Sequence, residues 1–201
     1  MTQLLKREVI VLGISGKIGA GKSTLSEALK AVLTENGFLV YERNFADKLK
    51  ELVAFHFNID VRRCYTQEGK NSLLHARYGV GMTVGRMLQL FGTSLRQVNE
   101  NIWINSVADF VEENSSNNSN KLVFIIPDCR FPNEVEWIRS MFGIAVRLEG
   151  DPGQVAKNSK RDLAHISETA LDGYAGFDLV LDTNKTAVQS CVEQVLSVMK
   201  K

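Results

Sequence analysis

The 201-residue sequence has only three cysteines, three prolines and no long apolar run. Cys64, Cys129 and Cys191 are far apart and form no Cys-x-x-Cys pair, so their spacing indicates neither a disulfide framework nor a zinc site. The apolar run near the amino terminus is too short for a signal peptide, and none is long enough to span a bilayer. We therefore expect an intracellular protein with reduced thiols and no membrane contact.

An excess of charge of either sign is also lacking. The chain carries 24 lysine and arginine residues against 23 aspartate and glutamate residues, which gives a net charge of +1. A nearly neutral chain has no general attraction to nucleic acid, so anions must be bound by local clusters of cations. The hydrophobic content of 44% is typical of a globular protein with a sizeable core.

Apolar runs alternate with amphipathic stretches along the chain. Residues 9–14 are a continuous aliphatic run, and residues 23–36 place their apolar side chains on one helical face. Further strands are predicted at 38–41, 122–126, 144–148 and 178–181, and further helices at 46–57, 83–98, 102–111, 133–141 and 186–199. Strands that alternate with helices predict an α/β fold, a parallel five-stranded sheet with helices on both faces.

The length fits one domain or a domain with a flap, and we expect a single domain over residues 1–201. Its core is predicted at residues 8–57, 121–148 and 174–201. Residues 58–113, here called the arm, are mostly helical, with a polar loop at 67–81. Residues 149–173, here called the flap, are polar and rich in charge, and the low-complexity stretch 114–120 is interpreted as a surface loop.

A complete phosphate-binding motif follows the first predicted strand. Residues 16–23, GKIGAGKS, match G-x-x-x-x-G-K-[ST], and we call them the phosphate loop. In this motif glycines turn main-chain N–H groups toward phosphate oxygens, Lys22 contacts the β- and γ-phosphates, and the Ser23 hydroxyl binds Mg²⁺. Lys17 is interpreted as a phosphate contact or as a solvated lysine. The predicted ATP-binding residues here are Gly16, Lys17, Gly19, Ala20, Gly21, Lys22, Ser23 and Thr24.

The motif leaves the destination of the γ-phosphoryl group open. The candidates are a small-molecule kinase, a GTPase-like switch, and an ATPase motor or DNA-processing module. A switch is disfavoured because no N-K-x-D signal is present, and a motor because the third predicted strand ends in Asp128-Cys129 instead of Asp-Glu. A kinase needs a second anion site facing the first, and a basic flap that excludes water.

Charged residues follow two other predicted strands. Asp47 and Lys50 follow the second strand, and Asp128 and Arg130 follow the third. Open parallel sheets bind ligands at the carboxyl ends of their strands, so both groups are expected beside the phosphate loop. Arg130 could bind a phosphate through two hydrogen bonds, and Asp128 could bind Mg²⁺ through water, accept a proton or fix Arg130. A capping aspartate with a surface arginine is the alternative.

The arm and the flap contribute further candidates. Arg86 and Arg96 flank Gln89 and Thr93 at helical spacing, which suits either a phosphate and a base edge or a solvated helix face. The flap contains three cations that suit either closure over phosphates or a charged surface loop. These are Lys157, Lys160 and Arg161. Asn133 is predicted as the N-cap of the helix after the third strand, and Ser167 as the N-cap of a helix that starts near residue 165.

Together these blocks resemble the deoxynucleoside monophosphate kinases of phages and large DNA viruses. The resemblance spans about residues 9–185 and keeps the order of the blocks. It rests on Phe45-Ala46-Asp47 with Lys50, residues 86–93 (RMLQLFGT), Trp103, residues 128–134 (DCRFPNE), His165-x-Ser167-Glu168 and residues 182–184 (DTN). It implies a three-layer P-loop kinase fold whose arm binds the monophosphate, and transfer of the γ-phosphoryl group of ATP, with Mg²⁺, to a deoxynucleoside 5′-monophosphate.

Partners and location also follow from the resemblance as expectations. Small-molecule nucleotides would be the partners, without direct binding to nucleic acid or membrane, and a homodimer would be compatible with the family. The location would be the cytoplasm, that of the host if the chain is viral.

The resemblance further implies roles for individual residues. Lys50, Arg86 and Arg130 would hold the acceptor phosphate, and Asn184 would lie near the adenine of ATP. Gln89, Thr93 and Trp103 would frame the base and the sugar. The full monophosphate site would comprise Asp47, Lys50, Arg86, Gln89, Thr93, Trp103, Arg130, Glu134, His165 and Glu168. The catalytic residues would be Lys22, Asp128, Arg130 and Arg161, and the metal ligands Ser23 and Asp128.

Two positions depart from the family pattern. Lys48 stands where the family often has proline, and residues 149–151 (EGD) stand where it often has a further basic residue. Lys160 or Arg161 is therefore the better candidate for the catalytic charge of the flap. Phosphomevalonate kinase shares the outline, including Asp-x-Arg after the third strand, but Gln89 beside aromatic residues favours a flat base over an aliphatic phosphate.

Overall fold

Five parallel strands form one sheet in the order β2-β3-β1-β4-β5. The computed structural model describes residues 9–116, 120–150, 153, 157–160 and 162–200. The strands are β1 (Val9–Gly16), β2 (Leu39–Glu42), β3 (Leu122–Cys129), β4 (Ile144–Glu149) and β5 (Leu179–Asp182). Every pairing is parallel, so the carboxyl ends of all five strands meet at one edge.

Helices fill the connections between these strands. They are α1 (Lys22–Glu35), α2 (Asp47–Phe57), α3 (Gln67–Asn71), α4 (Val84–Val98), α5 (Ile102–Ser115), α6 (Pro132–Ser140), α7 (Ile166–Thr169) and α8 (Val188–Met199). Two 3-10 turns, Val61–Cys64 and Ala76–Tyr78, lie in the arm. Among the described residues, no helix is both long enough and apolar enough to cross a membrane.

Side-chain alternation along the strands divides the core into two layers. Val123 and Ile125 of β3 pack on one face, in a cluster with residues of α1 and α8. Leu122, Phe124 and Ile126 point to the other face and pack with residues of α2, α5 and α6. Both faces of the central strand are apolar, as expected for a parallel strand covered by helices. The structure therefore confirms the predicted three-layer α/β fold.

The third strand continues beyond its predicted end at residue 126. Its register with β1 runs to Gly13 and Ile126, shifts, and resumes where Ser15 pairs with Cys129. The shift brackets Pro127, which has no N–H group to donate to a neighbouring strand. The strand therefore bends at the proline and delivers the charged residues that follow to the sheet edge.

The arm is more ordered than the sequence indicated. The predicted loop 67–81 contains helix α3, which begins where the Thr66 side chain accepts a hydrogen bond from the Gly69 N–H at 3.0 Å. A Cβ at Gly69 would collide with the Arg63 main chain, so the glycine permits close packing between the two turns. Short-range capping and this contact are weak signals in a polar stretch, which is why periodicity missed the helix.

Two predicted helix caps were wrong. Helix α6 begins at Pro132, so Asn133 lies in its first turn and does not cap it. Proline is favoured at this first position because its missing N–H group has no helical partner to lose. Helix α7 is capped by His165, whose Nδ1 accepts a hydrogen bond from the Ser167 N–H at 3.2 Å.

Candidate active site

The phosphate loop has the backbone that its sequence predicts. Gly19 and Gly21 have φ angles of 80° and 87°, in the left-handed region that favours glycine. Gly21 is the N-cap of α1, so the loop leads directly into a helix amino terminus. The Lys22 Nζ donates to the carbonyl oxygens of Gly16 and Lys17, both at 2.7 Å. These bonds hold the ammonium group against the loop that would surround a triphosphate.

Lys17, predicted as a phosphate contact or a solvated lysine, is partly exposed and is bonded to the flap. Its Nζ donates to the Glu168 carbonyl oxygen at 2.7 Å and contacts both Asp172 carboxylate oxygens, at 2.6 and 2.7 Å. It ties the phosphate loop to the carboxyl-terminal part of the flap.

A small cavity lies between the phosphate loop and the segment after β5. It has a volume of about 200 Å³, and its wall includes Gly19, Ala20, Gly21, Thr24 and Asn184. Ligand sites for whole drug-sized molecules are larger, about 300–1,000 Å³, so this cavity could enclose only part of a nucleotide. The structure thus brings the predicted adenine-side Asn184 beside the phosphate loop.

A larger cleft of about 370 Å³ opens at the sheet edge. Its wall brings together many of the predicted site residues: Gly19, Lys22, Ser23, Lys50, Gln89, Thr93, Trp103, Asp128, Arg130, Glu134 and Glu168. The predicted residues Asp47, Arg86 and His165 do not line this cleft. Asp47 contacts Lys50 and His165 contacts Thr93, both on the wall, and Arg86 contacts Asp162 of the flap. The cleft wall also includes Arg96, a candidate named from the sequence of the arm, and Glu42, Tyr65, Lys70 and Phe131, which were not assigned to the site from the sequence.

Lys50 is held rigidly by two neighbours. It is only 7% exposed; its Nζ lies 2.9 Å from the Asp47 carboxylate and 4.1 Å from the centre of the Tyr65 ring. The Tyr65 hydroxyl also donates to Asp47, at 2.9 Å. Burial alone would raise the pKa of Asp47, but Lys50 and the Asn44 N–H group outweigh it and hold the pKa below its usual range. Asp47 therefore stays ionised and positions Lys50.

Asp128 fixes a loop at the edge of the cleft. Its two carboxylate oxygens accept hydrogen bonds from the Phe45 and Ala46 N–H groups, at 2.8 and 3.1 Å. These bonds connect the end of β3 to the start of α2, which resembles the capping role given as the alternative, although the helix is not the one that follows β3. Each oxygen keeps a further lone pair, so Asp128 can still take part in other contacts.

The donor set at this cleft fits Mg²⁺. Within the described ranges there is no group of three or more His, Cys, Asp or Glu side chains that could hold a metal ion. Magnesium at nucleotide sites needs no such group, because one or two protein oxygens, substrate phosphates and water complete its shell. The Ser23 hydroxyl and the Asp128 carboxylate, both on the cleft wall, supply oxygens of this kind.

Arg130 lies deeper in the same cleft. Its Nη1 donates to the Ser167 carbonyl oxygen at 2.9 Å and lies 2.8 Å from a carboxylate oxygen of the buried Glu168. Burial would lower the pKa of Arg130, but Glu168 and Asp128 raise it above its usual value. The guanidinium therefore remains charged at the place where an acceptor phosphate is expected.

Glu134 is a buried carboxyl at the base of α6. One of its oxygens accepts hydrogen bonds from the N–H groups of Arg130 and Phe131, at 2.7 and 3.1 Å. Burial, with the nearby negative charge of Asp128, raises the pKa of Glu134 to about 7 against those hydrogen bonds. Glu134 thus shapes the main chain that carries Arg130 and titrates near neutrality.

Arg96, one of the candidates on the arm, is a basic residue of the cleft wall. Its guanidinium lies 3.8 Å from the centre of the Phe131 ring, and Nη2 donates to the Asn133 side chain at 2.8 Å. Nη1 lies 3.6 Å from Glu134. Asn133, predicted as a cap, therefore holds Arg96 in place.

The flap is docked on the arm. The Gln89 side-chain amide donates to the Asp162 carbonyl oxygen at 2.8 Å and accepts from the Asp162 N–H at 3.2 Å. Arg86 donates to the Asp162 carboxylate at 2.9 Å, and the Thr93 hydroxyl lies 3.3 Å from His165 Nε2. Gln89 and Arg86, predicted to contact the nucleotide, are thus engaged by the flap, through both ends of the Gln89 amide and one nitrogen of Arg86.

The remaining predicted residues are Trp103 of the arm and Lys160 and Arg161 of the flap. The Trp103 ring is buried, and its N–H donates to the Gly92 carbonyl oxygen at 3.1 Å, so only its ring faces the cleft. The main-chain N–H of Lys160 donates to the Asn71 side chain at 3.0 Å. Arg161, the predicted catalytic cation of the flap, lies outside the described residues.

Comparison with known proteins adds a family match. The model of a family described as deoxynucleotide monophosphate kinase matches residues 70–194. The matched range includes the RMLQLFGT and DCRFPNE blocks and the His165 block, and it begins after the phosphate loop. No curated protein sequence matches the chain.

Several solved structures are similar at low identity. Shikimate kinase from Bacteroides thetaiotaomicron is 14% identical, with 96% of this chain and 99% of that chain covered and a TM-score of 0.45. The structure named APE1195 is 16% identical, with 95% and 94% covered and a TM-score of 0.49. The hexameric APS kinase from Thiobacillus denitrificans is 18% identical, with 96% and 29% covered and a TM-score of 0.45.

Proposed function

The chain belongs to the deoxynucleotide monophosphate kinase family, and from this premise we propose that it transfers the γ-phosphoryl group of ATP to a deoxynucleoside 5′-monophosphate. The products are ADP and the deoxynucleoside diphosphate, a precursor for DNA synthesis. The observation that carries the proposal is that the phosphate loop and Arg130 open onto one cleft.

Phosphoryl transfer depends mainly on positioning and on neutralising charge. Lys22 and Ser23 mark the donor side of the cleft, because they belong to the phosphate loop. Arg130 and Lys50 mark the acceptor side, and both are fixed by carboxylates that hold their side chains in place. An acceptor phosphate bound by these two cations would face the γ-phosphate across the cleft.

A divalent cation is part of the proposal. Ser23 and Asp128 would hold Mg²⁺ together with the phosphates of ATP, and the ion would neutralise charge on the transferred group. Arg161, or Lys160 beside it, would bring a further positive charge when the flap covers the phosphates.

The base and sugar would lie against the arm. Thr93, Trp103 and Phe131 line that end of the cleft, so a flat base would meet two aromatic rings and one hydroxyl. Gln89 would read the base edge once the flap has released its amide. This lining supports a nucleotide acceptor over an aliphatic phosphate.

We also propose that the protein acts in the cytoplasm.

A panel of acceptors tests this function. Ribo- and deoxynucleoside monophosphates and phosphomevalonate are supplied with ATP and Mg²⁺, and ADP release is measured in a coupled assay. We expect the highest kcat/KM with one or more deoxynucleoside monophosphates, and the Lys22→Ala variant should abolish transfer. Preference for phosphomevalonate, activity retained by Lys22→Ala, or salt-sensitive DNA binding with hydrolysis alone would overturn the proposal.

A further inference from the structure

Lys17 takes part in an ionic network that the proposed function does not use. Its ammonium group contacts Asp172, and Asp172 lies 3.7 Å from Nη2 of Arg147 on β4. Arg147 Nη1 in turn donates to the Ser15 hydroxyl at 3.0 Å, immediately before the phosphate loop. Asp172 is thus held from two sides, by the loop itself and by the strand next to it.

The same network reaches the acceptor side through a single residue. The carbonyl oxygen of Glu168 accepts from Lys17 at 2.7 Å, while its carboxylate lies 2.8 Å from Arg130 Nη1. The preceding carbonyl, that of Ser167, also accepts from Arg130. Helix α7 is a single turn of four residues. The Glu168 carbonyl that Lys17 contacts and the Ser167 and Glu168 groups that Arg130 contacts therefore move together.

Direct contact of Lys17 with ATP does not explain these bonds. A lysine ammonium has three N–H donors. The Lys17 ammonium group contacts three oxygens, the Glu168 carbonyl and the two carboxylate oxygens of Asp172, so each donor has an acceptor. Among the described residues, the walls of both cavities include Gly19 of the phosphate loop, whereas neither includes Lys17.

We propose that Lys17 and Asp172 are positioning residues that couple the phosphate loop to Arg130 through helix α7. This inference rests on the proposed function and assigns it two further residues. When the loop closes on ATP, Lys17 carries the α7 main chain with it, and Glu168 sets the place of the Arg130 guanidinium. A displacement of about 1 Å at such a group can lower the rate of transfer roughly a hundredfold.

Stability and positioning can be separated at this site. The Lys17 and Asp172 side chains are 36% and 49% exposed, and exposed ion pairs contribute little to stability. Variants of these residues should therefore fold, so that a kinetic effect reports position. Lys48 offers a matched control, because it is an exposed lysine whose Nζ pairs with Glu51 at 2.9 Å on α2.

The test measures kcat and both KM values for wild type, Lys17→Met, Asp172→Asn, the double variant and Lys48→Met. We expect Lys17→Met and Asp172→Asn to lower kcat/KM for the acceptor by roughly tenfold to a hundredfold, with the KM for ATP nearly unchanged. The double variant should be no worse than Lys17→Met, because that substitution alone already removes the contacts of Lys17 with both Glu168 and Asp172. Lys17→Arg should restore most of the activity, and Lys48→Met should behave as wild type.

The outcomes distinguish this inference from the proposed function. If Lys17→Met raises the KM for ATP while Asp172→Asn does not, Lys17 is a phosphate ligand and the coupling is wrong. The coupling is also wrong if both single variants match wild type or if their effects add, and in these cases the proposed function stands. A wild-type protein that phosphorylates no monophosphate overturns the proposed function, and the inference with it.

Discussion

Two acidic residues at the cleft, Asp128 and Glu134, hold main-chain groups in place. Asp128 accepts from the N–H groups of the loop before α2, and Glu134 accepts from those of Arg130 and Phe131. These carboxylates shape the ends of the strands, where main-chain groups lose their sheet partners.

Arg130→Ala should weaken acceptor binding and slow transfer. The loss of one charge-assisted phosphate contact costs about 1.5–3 kcal/mol, a factor of roughly 10 to 150 in kcat/KM for the acceptor. The KM for ATP should change little, because the donor loop keeps its own contacts. Steady-state kinetics with each substrate varied in turn measure both values. A large increase in the KM for ATP alone would place Arg130 in the donor site.

Glu134 should make stability depend on pH near neutrality. The pKa of Glu134 is about 7 in the folded protein and 4.5 for an ordinary glutamate, so between these values the folded state binds more protons than the unfolded state. The free energy of unfolding should therefore fall as pH rises from 5 to 7, by up to about 1.4 kcal/mol per pH unit. Below pH 4.5 this contribution is constant, and above pH 7 the full cost of burying the charge is present.

The Glu134→Gln variant isolates that titration. Glutamine keeps an oxygen for the N–H groups of Arg130 and Phe131 but has no proton to lose. Urea unfolding of both proteins at pH 5, 6, 7 and 8 gives the difference in unfolding free energy, from which other titrating groups cancel. We expect this difference to shift in favour of the glutamine variant as pH rises. A difference that is constant over this range would mean that the two N–H donors keep Glu134 ionised throughout.

At the scale of elements, side-chain amides hold the flap against the arm. Asn71 of α3 donates to the Asn158 carbonyl oxygen at 2.8 Å and accepts from the Lys160 N–H at 3.0 Å. Gln89 of α4 pairs in the same way with both main-chain groups of Asp162. An amide that bonds to main-chain groups does not depend on the side chains of the flap residues it holds.

Asn71→Ala should remove the two hydrogen bonds that hold Asn158 and Lys160 of the flap against α3. Two hydrogen bonds contribute about 0.5–1.5 kcal/mol each, so the open population of the flap should rise roughly five- to 150-fold. Brief trypsin digestion followed by mass spectrometry measures the cleavage rate after Lys157 and Lys160. Asn36→Ala, which removes an exposed side-chain bond at the end of α1, is the control and should leave that rate unchanged. Equal rates in all three proteins would show that Asn71 does not hold the flap.

Local patterns in the sequence predicted the helices and strands well, but they could not predict contacts between side chains that are far apart in the chain. The phosphate loop is a continuous motif, and the alternation of strands and helices fixes which residues reach the sheet edge. By contrast, Lys17 and Asp172 are 155 residues apart, and Gln89 and Asp162 are 73 apart. Pairings of this kind depend on how elements pack. Tyr65 was missed for the same reason, since a single aromatic in a polar stretch carries no pattern.

At the scale of the whole molecule, the arm and the core share one apolar cluster. Trp103 and Val107 of α5 are buried together with Phe124 of β3 and Val135 of α6. The arm therefore buries its apolar face against the sheet and has no separate core among the described residues. Elements that share a cluster in this way lose their packing together, which favours the predicted single domain.

The two tryptophans allow that prediction to be tested, since Trp103 lies in the arm and Trp137 in helix α6 of the core. Trp137→Phe leaves only the arm probe, and Trp103→Phe leaves only the core probe, whose ring packs on Phe45 with centroids 5.8 Å apart. In each variant, urea unfolding is followed by fluorescence and by far-ultraviolet circular dichroism in the same samples, so that any change in stability caused by the substitution cancels. If arm and core unfold as one unit, the two midpoints coincide in both variants. Fluorescence that changes at lower urea than the helical signal in Trp137→Phe alone would show that the arm unfolds first, as a domain of its own.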